Sequence, residues 1–332
     1  MKHLARKTYV FYGILIAISC VSLLFTNLSY DAEYQLAMAY RLLKGYTLSA
    51  KMWEPHQTSA FLCAIIMKLW LLVTGTTTGV VLFTHVVGFL IRTGISLWLF
   101  KTIRSLTATT PALIAGAMYL LLSPKDLLVP EFSNMQLWFA TLMALTLIQY
   151  FKGGKRLHLV LSAICLCLGV LSYPSFLVGY FVVLLLLWKY SPHLKTDLAV
   201  FTGVCAAIGS AFVAYLLLQV ELDTLLTCLS KALALEPTHT AGTGDKLSAH
   251  IQDLGKFLAV TAIAGGIGFA AEKLSSGKTA FSRDNRLVFS WYPLMIFLVI
   301  NVLRVENNGG LSYPFLFLLI LVFANRNLIN PD

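Results

Sequence analysis

Two acids one residue apart, Asp31 and Glu33, follow the first apolar run, and a second polar knot, Trp53-Glu54-Pro55-His56-Gln57, comes soon after. A carboxylate in such a place can take up a proton as a general base. It can equally satisfy free backbone amides at the start of a helix. Glu54 and His56 offer polar groups and Trp53 a flat ring, although a Pro-led helix start with Trp at headgroup depth has the same letters. Glu131, with Asp126 close by, stands in a later loop, where two separate acids are too few to define a metal site and a solvated loop charge is the plainer reading. Arg92 lies inside an apolar run, so it must face a protein interior and find a partner there, which marks it by position alone. Arg304 in Leu303-Arg304-Val305-Glu306 ends another run; its guanidinium suits bidentate contact with an anion, or an anchoring pair with Glu306.

The elements that must position these groups follow from composition. A chain of 332 residues that is 58% hydrophobic and 12% charged, with mean hydropathy +0.77, cannot hide its apolar side chains in one water-soluble core. It reads as an all-α, polytopic membrane protein. The net charge of +10 does not imply nucleic acid, because the cations fall in small clusters between apolar runs rather than on one basic face. The six cysteines lie mostly within those runs without CxxC or Cys/His spacing, so they read as small buried hydrophobes.

Runs long enough to span stand at 8–28, 80–100, 106–123, 133–151, 197–219, 255–271, 286–303 and 311–325. The run 157–190 would make about 51 Å of helix, enough for two short crossings hinged near Pro174. That gives about ten transmembrane helices. The basic start MKHLARK and the apolar run after it read as a retained signal anchor.

The treatment of the apolar run 58–75 decides the topology. If it crosses, the basic clusters at 101–104, 152–156, 189–195 and 273–286 fall opposite the N-terminal Lys2, Arg6 and Lys7. If it lies in the interface or re-enters, all of them become cytoplasmic, as charge bias requires, and most of the 15 acids are left outside. Lys68 agrees with the second choice, since a lysine on an interfacial helix can snorkel to water. The expected organisation is one transmembrane domain over 1–332 in the cell (plasma or inner) membrane, with both termini cytoplasmic. It has an outer loop at 29–79 carrying two juxtamembrane helices, a second long outer loop at 219–254, and no soluble C-terminal domain. The first juxtamembrane helix should run from Asp31 to Lys44 and stop at Gly45, with Leu36, Ala39, Tyr40 and Leu43 on one face and Glu33, Ala37, Arg41 and Lys44 on another.

This order of a first span, an acid-led outer loop with two juxtamembrane helices and a second span resembles the GT-C superfamily of membrane glycosyltransferases. The protein O-mannosyltransferases and lipid A aminoarabinose transferases belong to it. The residues that carry the resemblance are Tyr30-Asp31-Ala32-Glu33-Tyr34, Tyr40-Arg41-Leu42-Leu43-Lys44-Gly45 and Trp53-Glu54-Pro55-His56-Gln57. Weaker echoes are Pro130-Glu131-Phe132-Ser133-Asn134 and Leu171-Ser172-Tyr173-Pro174. Members with this start often have adjacent Asp and Glu, whereas Ala32 separates them here, so either acid can take the family's place.

The resemblance implies transfer of a sugar from a polyprenyl-phosphate-linked donor to a glycan, lipid or protein acceptor on the extracytoplasmic face, with inversion. One carboxylate would deprotonate the attacking hydroxyl; Asp31 is the first candidate and Glu33 the second. Trp53, Glu54, His56 and Glu131 would line the substrate cleft, and Arg304, Arg92 or a divalent metal, Mg or Mn, would face the leaving phosphate. The rival readings are a multi-pass transporter or lipid flippase, which would favour charge near mid-membrane and a repeated half, and an inactive cell-envelope scaffold.

Overall fold

The computed structural model describes residues 2–22, 30–52, 56–105, 109–121 and 129–239. The spans expected at 255–271, 286–303 and 311–325, the loop beyond residue 239, and the site candidates Trp53, Glu54 and Arg304 lie outside the described residues. Within them the chain is all-helical, with no strand. The helices are α1 Lys2–Ser22, α2 Tyr30–Leu43, α3 Ala60–Thr74, α4 Val80–Arg104, α5 Thr109–Leu121, α6 Phe132–Gly153, α7 Arg156–Ser172, α8 Val178–Tyr190, α9 Leu194–Leu217 and α10 Leu222–His239. Three segments, Gln57–Thr74, Val80–Arg104 and Leu194–Leu217, are long and apolar enough to cross a membrane. Large side chains such as Leu72, Val73, Phe181 and Trp188 are strongly exposed. In water each would forfeit roughly 1.5–3 kcal/mol of burial, which suits a lipid-facing surface.

The interior joins α1, α4, α5, α6, α7, α8 and α9 through one apolar cluster that includes Tyr12, Phe100, Leu137, Leu147, Leu159, Phe176 and Phe201. The Tyr12 Oη lies 3.1 Å from Ser96 Oγ, and the Ser96 hydroxyl donates to the Gly116 carbonyl at 2.7 Å. A Cβ added to Gly116 would come within 1.6 Å of the Tyr12 hydroxyl, so only glycine lets α1, α4 and α5 meet there.

The same contacts orient the bundle. Tyr12 packs on Phe100 and Ile16 on Phe89, so α1 runs antiparallel to α4 and its basic start lies at the end where Lys101 and Arg104 finish α4. Lys152 reaches the Ser105 carbonyl at 3.2 Å. Arg156 stands 3.7 Å from Asp197, and Ser191 donates to Asp197 at 2.5 Å. The basic clusters from 2–7, 101–104, 152–156 and 189–195 therefore gather at one end of the bundle, here the basic end. The segment 157–190 runs outward as α7, turns through extended Tyr173 and the short 3-10 stretch Pro174–Leu177, and returns as α8 to that end.

At the other end, the loop end, α3 starts where Thr58 Oγ1 donates to Leu171 O at 2.5 Å, beside the close of α7. It finishes in the turn that opens α4. Both ends of α3 thus lie toward the loop end, although its length and composition would permit a crossing. Helix α2 packs along it through Ala32, Leu36, Ala39, Cys63, Ala64 and Met67. Gly45 stops α2 at φ +80°, its N–H donating to Leu42 O at 3.0 Å. One expected detail changes: Tyr40 is 38% exposed, at the edge of the buried stripe, with Lys44 Nζ 5.2 Å from its ring centroid. The buried side of α2 is Ala32, Gln35, Leu36, Met38 and Ala39; at about 100° per residue Tyr40 stands beyond Leu36, at the edge of that stripe away from Gln35 and Met38.

Candidate functional site at the loop end

Irregular backbone concentrates between α2 and α3. Leu48 and Met52, both buried, pin the segment against Met38, Ala60 and Leu216. Arg41, read from sequence as sharing a charged face with Glu33, reaches the Lys51 carbonyl at 2.6 Å and lies over Tyr46 at 5.1 Å, so its guanidinium ties the loop to α2. His56 then adopts φ +58°, ψ +17°, a left-handed conformation that costs a residue with a Cβ about 1–3 kcal/mol unless its surroundings enforce it.

The surroundings do enforce it. The His56 imidazole stacks on Phe132, with centroids 4.5 Å apart and planes 15° apart, and on Tyr173, at 4.6 Å and 26°. Phe132 and Tyr173 are themselves 6.0 Å apart, so the three rings form a triangle. Each such contact is worth about 0.5–1.5 kcal/mol beyond its burial, which offsets the backbone strain. Below, the Ser59 hydroxyl stands 2.8 Å from the fully buried Gln35 Oε1 and 2.6 Å from His56 O, and Gln57 Oε1 accepts from Ser49 N at 2.9 Å.

Glu131 immediately precedes Phe132 and has no exposed surface. It is therefore not the solvated loop charge that its sequence context allows. Its extended backbone at φ −85°, ψ 165° opens α6, whose amino end, with its free N–H groups, favours a carboxylate nearby. Asn134 Nδ2 donates to Val129 O at 3.0 Å and fixes the approach. Val129 belongs to the same apolar cluster as Ala32, which brings the start of α2, and with it Asp31, toward the segment leading to Glu131. Asp31 lies in the first turn of α2 rather than ahead of it, and is half-buried; Glu33 is exposed. A carboxylate in that first turn faces the positive end of the helix dipole.

Arg92 is buried on α4, and its Nε donates to Tyr119 O at 3.1 Å, so it is bound into the wall between α4 and α5. His85, Arg92 and Ser96, within about 40° of one another around the helix, make a buried polar row along it, with Thr84 buried on an adjoining face. Among the sequence candidates, His56 stacks on the residue that follows Glu131, Asp31 lies toward that segment, Glu33 is exposed and Arg92 is buried on α4. Phe132, Tyr173, Gln35 and Ser59 complete the group and had no role assigned from sequence. The nearest signals were the weak motifs around Glu131 and Tyr173, whose aromatic residues receive the histidine.

A carboxylate, an imidazole and aromatic faces at the loop end of the bundle can move a proton and stack on a ring-shaped ligand. Among the described residues no three His, Cys, Asp or Glu side chains gather as a metal group, so a divalent ion has no described ligand set there. No protein-family model matches the chain, and no curated protein or solved structure does so.

Proposed function

We propose that this protein is a GT-C-like membrane glycosyltransferase with about ten spans that transfers a sugar from a polyprenyl-phosphate-linked donor to an acceptor on the extracytoplasmic face. The observation that carries the reading is the assembly of the 29–79 loop with the start of α6 and the close of α7, where His56 stacks on Tyr173 and on Phe132, the residue after the buried Glu131. In this reading Asp31 takes the proton of the acceptor hydroxyl as its oxygen attacks the anomeric carbon. The bond from that carbon to the phosphate oxygen breaks, and the electron pair leaves with the phosphate. Attack opposite the leaving group inverts the centre. The ring triangle orients the sugar, and Arg304 neutralises the departing phosphate.

The test is transfer from polyprenyl-phosphate hexoses and pentoses by the purified full chain. Asp31→Asn should lower the rate by about 10²–10⁴-fold, the usual worth of general-base catalysis, with thermal stability retained. Undiminished transfer by Asp31→Asn, Glu33→Gln and the double variant would remove the base assignment. Transport is the second reading, favoured by the buried polar row His85, Arg92 and Ser96 on α4; it requires solute or lipid flux in vesicles that Arg92→Gln abolishes.

A further inference from the structure

A cavity of about 280 Å³ opens where the end of α2, the first half of α3 and the end of α9 meet. On α3 its wall is Phe61, Ala64, Ile65 and Lys68, spaced as one helical stripe. Tyr46 and Tyr215 stand across from it. The walls are mainly apolar, Lys68 is the one cation lining the cavity, and no acid lines it.

The lysine is exposed, and among the described residues neither a carboxylate nor a hydrogen-bond acceptor engages its ammonium. Around it the surface is unusually apolar, with Ile65, Leu69, Leu72 and Val73 more than half exposed. A lone ammonium at the mouth of an apolar groove, continuous with an apolar surface, matches one kind of molecule: a phosphate ester joined to hydrocarbon. Water alone would serve the lysine, but would leave the stripe beside it uncovered.

We propose that this groove seats an anionic phospholipid of the surrounding bilayer, its phosphate on Lys68 Nζ and the first carbons of one chain along Ile65, Phe61 and Tyr215. Nζ donates to the phosphate oxygens, and charge attraction is strengthened by the low polarity of the walls. The hydroxyl-bearing headgroup of phosphatidylglycerol can meet Thr47 and Gln219 at the polar side of the cavity. The lipid would fasten α2 and α3 to α9, where Phe61 already meets Phe212 and Tyr215 edge-on. This inference goes beyond sugar transfer and does not rest on it.

Native mass spectrometry on the detergent-purified full chain tests it, with no sugar donor present. One dioleoyl-phosphatidylglycerol should remain bound under conditions that strip dioleoyl-phosphatidylcholine. Lys68→Gln should weaken retention roughly tenfold, the worth of one charge-assisted contact, and Lys68→Arg should keep it. Ile65→Glu, at an exposed position that the fold tolerates, should also expel the lipid by placing an acid in the groove. Equal retention of both lipids, wild-type retention by Lys68→Gln, or displacement by millimolar inorganic phosphate would each overturn the proposal; the last would make the groove a soluble-anion site. None of these outcomes bears on transfer measured with Asp31→Asn, so the two readings fail separately.

Discussion

The two ends of the bundle bury charge in opposite ways. At the basic end Asp197 has no exposed surface and is surrounded by donors: the Tyr150 hydroxyl, the Ser191 hydroxyl and, at 3.7 Å, the Arg156 guanidinium. These come from α6, the turn before α9 and the start of α7, so one carboxylate latches the returning helices together. At the loop end the buried polar groups instead come with strained and irregular backbone: His56 in the left-handed region, two 3-10 stretches and an extended residue at Tyr173. Regular helix ends with paired charges hold a structure; strain maintained by packing is what functional sites accumulate. The contrast is the physical reason for seeking chemistry at the loop end alone.

Substitutions can break this contrast. The largest effect is expected from His56→Ala at the loop end, which removes two ring contacts and leaves a β-carbon in the left-handed conformation. Sugar transfer should fall by about 10²-fold, whereas His56→Gly, free of backbone strain, should regain thermal stability without regaining transfer. Recovery of rate by the glycine variant would make the histidine merely structural. Next comes the basic end, where Asp197→Ala should lower unfolding stability by about 3 kcal/mol while the transfer rate per folded molecule stays unchanged. A rate loss there, at matched folded fraction, would erase the division between the ends.

Smaller shifts sharpen the picture. Gly116→Ala should cost about 1–3 kcal/mol through overpacking against Tyr12, read as a lowered unfolding temperature that Tyr12→Phe partly relieves. The smallest effect belongs to Arg156→Gln. Its side chain is 54% exposed and its ion pair is long at 3.7 Å, so stability should change by less than about 1 kcal/mol. A loss equal to that of Asp197→Ala would show that the arginine, not the two hydroxyls, keeps the carboxylate buried.

Much of the helical framework was legible because membrane helices declare themselves by length and charge. The stop at Gly45, the break at Pro174 and the gathering of basic clusters all follow from local residue chemistry that tertiary structure had no reason to override. Tyr40 departs from the expected face because an amphipathic ring at the edge of a stripe can turn toward either side, and here it lies outward beside Lys44. The candidate site was legible as a set of loops rather than as a constellation. Nothing in Trp53-Glu54-Pro55-His56-Gln57 tells which distant rings will receive the histidine, since Phe132 and Tyr173 stand far along the chain and meet it only through packing of α6 against α7. Glu131 was underrated for the same reason: burial of a loop acid depends on what covers it.

Helix α3 leaves a consequence for how the chain is made. Its segment Gln57–Thr74 is apolar enough to cross, yet both its ends finish on one side of the bundle, held there by α2 and by the close of α7. A translocating machine meets this segment before α4 to α9 exist, and hydrophobicity alone would thread it through. A reporter fused after Gly75 in a truncated chain should therefore face the opposite compartment from the same reporter inserted after Gly75 in the full-length protein. That outcome would mean that later helices pull an earlier one back as the fold is completed.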